Sequence, residues 1–257
     1  MSLYMARFLA VSGLLMVSAC SASHDASQGS LLRVGDRIRE AGDPATAISF
    51  YQRAATNDPG DPKPLVKLGD ALAQVGDPAR AAGYYQAALD ITPNDPGALS
   101  GLGQAQLALG KPREALVALD QALTRRPGDV TTILAKGTAL ALLGRPKEAQ
   151  SLYQAALAKA PENLSVKTNL ALSYALAGDT AEAVAIMRQV AAAPDVQPVY
   201  RRNLALVLAL DGQLKEANQV AASVLSEQDT RDLIEAGRRI REMTDPAQRA
   251  RAMGTIG

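Results

Sequence analysis

Residues 62–95 read PKPLVKLGDALAQVGDPARAAGYYQAALDITPND, and residues 96–129 read PGALSGLGQAQLALGKPREALVALDQALTRRPGD. Laid one above the other, these 34-residue stretches place Gly69 over Gly103, Gly76 over Gly110, Ala81 over Ala115, Ala88 over Ala122 and Pro93 over Pro127. The register continues in both directions. Glycine recurs at Gly42, Gly76, Gly110, Gly144, Gly178 and Gly212, always 34 residues apart. Five positions later come Ala47, Ala81, Ala115, Ala149, Ala183 and Ala217. Seven before each glycine stand Gly35, Gly69, Gly103, Gly137, Ala171 and Ala205, and twelve after it Ala54, Ala88, Ala122, Ala156, Val190 and Val224. Pro59, Pro93, Pro127 and Pro161 keep the phase, and Pro194 shifts it by one.

A fixed period of this length marks a stack of identical supersecondary units. The recurring glycine suits the end of a first helix, where a left-handed residue costs no Cβ clash. Small residues at the eighth and twentieth positions let two helices approach closely. Leu68, Leu102 and Leu170, with Tyr51, Tyr85, Leu119, Tyr153 and Met187, fill the gaps between pairs. The proline closes the second helix. The 34-residue helix–turn–helix register resembles the tetratricopeptide repeat (TPR). That resemblance implies an all-α solenoid of six repeats over residues 28–231, beginning near Gln28, Pro62, Pro96, Val130, Leu164 and Pro198, coiled into a right-handed superhelix. Residues 232–244 are expected as a capping helix within an apolar and arginine-rich stretch from Arg231 to Met243, since terminal repeats need a polar outer face. Residues 245–257 read as a flexible tail after Asp245-Pro246.

Composition agrees with packed helices and removes several functions. The chain of 257 residues carries 27 basic and 26 acidic side chains, for a net charge of +1. Nucleic-acid binding needs a concentrated basic face to neutralise phosphates, and none is evident. One cysteine, Cys20, and one histidine, His24, cannot supply a Cys/His zinc site, a disulfide or a catalytic dyad with a partner to spare. No catalytic residue, metal site, cofactor or small-molecule substrate is expected.

At the amino terminus Arg7 precedes an apolar run from Phe8 to Val17, followed by Ser18-Ala19-Cys20. This order describes a secretory signal of residues 1–19, and a run of ten residues is too short to span a bilayer, which takes roughly 20. The motif resembles a bacterial lipobox. By that resemblance Cys20 becomes the lipidated first residue of the mature chain, residues 20–27 form the anchor and short linker, and Ser21 in place of an aspartate favours the outer membrane, facing the periplasm.

Positions two, five, six, nine, twelve and thirteen of each first helix are expected to face a groove. Early repeats place charge there, including Lys63, Lys67 and Asp70. Later repeats place leucines there, including Leu172 and Leu206, some of which could equally be core contacts. Asn169 and Asn203 share the sixth position of successive repeats, with Lys167 and Arg202 beside them. Asparagines at this position in peptide-binding TPR proteins resemble a ladder that grips a ligand backbone through both amide groups; the alternative is a cap or a bond to the neighbouring helix. The run Asn203-Leu204-Ala205-Leu206-Val207-Leu208 before Gly212 resembles the TadD lipoproteins of the Flp/Tad pilus system. That resemblance implies an outer-membrane scaffold that binds and places pilus secretion components, the secretin among them. Outer-membrane protein insertion and recruitment of cell-wall enzymes remain alternatives, as does a cytoplasmic co-chaperone with a lysine–asparagine clamp.

Overall fold

The computed structural model describes residues 29–254, and every regular element among them is a helix. The first is α1, residues 29–40. Then follow α2 (Pro44–Asn57), α3 (Pro62–Gln74), α4 (Pro78–Ile91), α5 (Pro96–Ala108), α6 (Pro112–Arg125) and α7 (Val130–Leu142). The remainder are α8 (Pro146–Leu157), α9 (Leu164–Ala177), α10 (Thr180–Ala191), α11 (Pro198–Asp211), α12 (Leu214–Ala222), α13 (Glu227–Glu242) and α14 (Pro246–Gly254). Odd-numbered helices from α1 to α11 are the first helices of the six repeats and even-numbered ones from α2 to α12 the second. The chain divides into a compact unit through Leu109 and another from Gly110 onward.

The turn between paired helices is built as its spacing predicts. Gly42, Gly76, Gly110, Gly144, Gly178 and Gly212 all have positive φ, between 71 and 97°, a region an L side chain enters at a cost. Helix starts carry a second signal that the period alone did not disclose. Asp-Pro pairs place an aspartate cap before a proline whose missing N–H would have had no helical partner. Asp43 accepts from the Thr46 amide, Asp61 from Lys63, Asp77 from Arg80 and Asp95 from Ala98. Asp129 and Asn163 cap α7 and α9 in the same way, without the proline.

In the first unit, Ala47, Tyr51, Leu68 and Ala71 form one apolar core. The eighth-position glycines make room for the tyrosine of the second helix: a Cβ on Gly69 would come within 2.6–2.8 Å of the Tyr85 ring, and one on Gly35 within 2.5 Å of Tyr51. Gly101 of the following first helix meets the same Tyr85 ring at 2.4 Å, so one ring fills space left by two glycines.

In the second unit, Gly137 and Tyr153 repeat this arrangement, within a core of Ile133, Leu140, Ala149, Tyr153, Val166 and Leu170. A larger core runs from Ala171 to Ile240. Two expectations change here. The capping helix begins at Glu227, not 232, because Ser226 accepts from the Asp229 amide and donates to the Asp229 carboxylate, fixing a helix start there. It thereby shortens α12 to nine residues and leaves Val224 in a turn. Secondly, residues 246–254 are the helix α14 and not a loose tail; α14 packs on α7 and α9. The signal segment, Cys20, His24 and the linker lie outside the described residues. No helix among the described residues is long and apolar enough to cross a membrane.

Candidate protein-binding face

In the first unit, the charged positions of α1 and α3 are tied to one another. The Tyr51 hydroxyl donates to Asp36 Oδ1 at 2.8 Å, and Lys67 Nζ lies 2.9 Å from the same oxygen. One repeat further on, the Tyr85 hydroxyl donates to Asp70 Oδ1 at 2.8 Å. Burial pushes the Asp36 carboxyl up, but the bonds from Lys67 and Tyr51 outweigh it and hold the group below the usual carboxylate value. Burial, with Asp36 adding to it, pushes the Tyr51 hydroxyl up to about 12, so it remains a donor at neutral pH. Lys67 and Asp70 therefore brace the stack, Lys67 by linking successive repeats. Lys63 is exposed and free to meet solvent or a partner. A clamp built on Lys67 would first have to give up Asp36.

In the second unit, the two asparagines differ. Asn169 Nδ2 donates to the Ser165 carbonyl at 3.0 Å within α9, leaving part of its amide uncommitted. Asn203, on α11, is half-buried, and its side-chain amide makes no hydrogen bond with a described residue. Lys167 pairs with Glu162 at 3.2 Å. Leu172 is half-buried against the larger core.

One of the expected groove residues is covered and another lines a cavity. Leu206 is only 6% exposed; every residue from Leu204 to Leu210 is buried, because α9, α10, α12 and α13 all pack on α11. A helix apolar on all sides is a helix packed on all sides. Arg202 lines a cavity of about 640 Å³ beneath the cap, with Asp229, Asp232, Leu233, Arg239 and Met243 among its walls. Acidic and basic side chains share these walls.

The cap also reaches the ends of the first helices. Arg241 lies over Gly212, where an added Cβ would stand 2.5 Å from its Nη1. Asp211, one residue earlier, is held below the usual carboxylate range by its bonds from Gln213 and Thr180, against a smaller opposing effect of burial, and by the Arg241 charge. Arg241, exposed to solvent, sits at the carbonyl end of α11, the negative pole of its dipole.

Comparison with known proteins agrees with this architecture. No curated protein matches the chain. Among solved structures, PilW, a widely conserved type IV pilus biogenesis factor, superposes with a TM-score of 0.70 at 17% identity, over 81% of this chain and 96% of its own. A tetratricopeptide repeat protein of Parabacteroides merdae gives 0.67 at 18% identity, over 81% and 83%. A thermophilic TPR protein of Thermus thermophilus gives 0.60 at 24%, over 71% and 99%. At such identities the likeness is one of fold. The sequence model of the tetratricopeptide repeat matches residues 72–137 and 140–207, just over half of the chain. With six in-phase repeats and six left-handed glycines in the turns, the chain belongs to the tetratricopeptide repeat family.

Proposed function

We propose that this TPR chain is a scaffold that binds protein partners on its first-helix face, and that it serves the assembly of a Flp/Tad pilus or related secretion apparatus from an outer-membrane anchor at Cys20. The observation that carries the binding reading is Asn203. A half-buried amide with no bond gains nothing for the fold, yet it offers a donor and an acceptor to an incoming backbone. Its equivalent, Asn169, keeps part of its amide uncommitted one repeat earlier. Exposed Lys63 adds a charged contact in the first unit.

The pilus reading rests on the resemblance of residues 203–212 and of the stretch before Cys20, and PilW, a pilus biogenesis factor, is in keeping with it through a shared fold. Binding and not catalysis is the proposed role. In-cell crosslinking followed by purification from outer membranes tests both levels, with wild type beside Asn169→Ala, Asn203→Ala. Secretin or pilus components recovered by wild type and lost in the variant support both. Recovery by both proteins keeps the pilus role and removes the asparagines from it. Recovery only of outer-membrane insertion factors or cell-wall enzymes replaces the pilus role with another envelope task.

A further inference from the structure

Nine residues cannot hold a helix alone in water, where isolated helices below roughly 12–15 residues are marginal. α14 nevertheless forms, and it forms against α7 and α9. Both are first helices of their repeats, and α14 meets them near their carboxyl ends, around Gly144 and Leu176. Ala247 packs over the turn after α7, its Cβ 3.5 Å from where a Cβ on Gly144 would stand. Ala250 is buried, and Ala252 and Met253 rest against the larger core. Arg249 Nε donates to the Met243 carbonyl at 2.6 Å, while its Nη1 reaches to 3.5 Å from the Leu176 carbonyl in the last turn of α9. A cation there meets carbonyls that have no helical partner and the negative pole of the helix. Gln248 and Arg251 point outward and are exposed.

We propose that α14 is a built-in occupant of the face formed by α7 and α9, and that the partner which displaces it is a short helix of the same chemistry. Such a helix carries alanine or methionine on its inner side and an arginine aimed at the carbonyl end of α9. The inference rests on the first-helix face being the binding face. With Ala250 the one buried residue of α14, at 9% exposure, the hold of α14 is slight enough for exchange. Its tether keeps it at high effective concentration, so a partner's apparent affinity falls by the fraction of time the face is closed.

The test uses the full chain with Cys20→Ser, which leaves no other thiol, and a fluorescein-labelled peptide of residues 244–257, TDPAQRARAMGTIG, read by fluorescence anisotropy. Ala250→Glu releases α14 and is expected to bind the peptide at least about ten-fold more tightly than the parent. A second variant, Gly144→Cys with Ala247→Cys, has a Cβ separation of 3.5 Å, suited to a disulfide; the strain of a side chain at the positive φ of Gly144 is common to both redox forms, and the oxidised form is expected to exclude the peptide while the reduced form binds it. Equal binding by the parent and Ala250→Glu overturns the proposal, as does binding that ignores the oxidation of the cysteine pair. A disulfide that forms between two chains makes a second copy the occupant and overturns it as well. Failure to recover pilus components in the crosslinking experiment, with the peptide results intact, overturns the pilus role alone.

Discussion

Tyr51 and Asp36 stand 15 residues apart and join two helices of one repeat through a 2.8 Å hydrogen bond. Lys67, from the next repeat, lies 2.9 Å from the same carboxylate oxygen, so Asp36 ties a repeat to itself and to its neighbour. Stability in repeat stacks is a sum of such local terms.

The Asp36 carboxylate is bound more tightly folded than unfolded, so its folded-state pKa is the lower of the two. Its contribution is therefore present above the unfolded carboxylate value of roughly 3.9 and is lost as pH falls through the folded value. Asp36→Asn is expected to cost about 1 kcal/mol at pH 7, with the difference from wild type shrinking below roughly pH 4. Urea melts of both proteins across this range check it; a constant difference would remove the carboxylate charge from the account.

Gly137 tests the small-residue rule. A Cβ there would stand 1.8 Å from the Tyr153 hydroxyl oxygen and 2.2 Å from the ring carbon that bears it. Gly137→Ala gains helix propensity of about 1 kcal/mol but forces a buried ring to shift, and overpacking costs about 1–3 kcal/mol. The expected sum is a loss of stability. The fifth repeat already uses the larger partner with a smaller one, Ala171 with Met187, both fully buried. Gly137→Ala with Tyr153→Met copies that pair and is expected to recover most of the loss. A double variant as weak as the single one would show that the ring is not the obstacle.

Asp95 caps α5 by accepting from the Ala98 amide at 2.7 Å. Asp95→Ala leaves that donor unpaired and is expected to cost about 1 kcal/mol. Asp95→Asn, which keeps the acceptor, should lose much less. Thermal melts by circular dichroism distinguish the two, and equal losses would assign the effect to charge instead of capping.

The repeats were legible because each structural demand recurs six times. A left-handed turn selects glycine at Gly42 and at every equivalent through Gly212, and repetition separates that demand from chance. Features that occur once were harder to read. The Ser226–Asp229 pair was a local start signal hidden by the expectation of a full second helix in the last repeat. The run from Leu204 to Leu210 is apolar on every side, which points to burial on every side; the docking of α13 on α11 supplies the cover that the repeat pattern does not foretell. The seating of α14 depends on contacts such as Arg249 with α9, 73 residues earlier in the chain, and no local pattern encodes such a separation. Lys67 and Asp70 were read as ligand contacts because a sequence does not disclose that Asp36 and Tyr85 are within reach.

The two asparagines are expected to behave unequally. The Asn203 side chain makes no hydrogen bond with a described residue, whereas that of Asn169 is bonded to the Ser165 carbonyl. Asn203→Ala should leave the melting temperature within about 2–4 °C of wild type, the shift that 1 kcal/mol produces in a chain of this size, while Asn169→Ala loses a hydrogen bond as well as a ligand contact. A melt lowered more by Asn203→Ala than by Asn169→Ala would mean that Asn203 serves the fold.

The most direct measurement places a photo-crosslinking residue at Asn203 on α11, and in a control at Val117, which is 61% exposed on the second helix α6. Cells are irradiated and the adducts identified by mass spectrometry. A specific adduct with a pilus secretion component from position 203, absent from position 117, is the predicted result. The same adduct from position 117 and none from position 203 would contradict partner binding on the first-helix face.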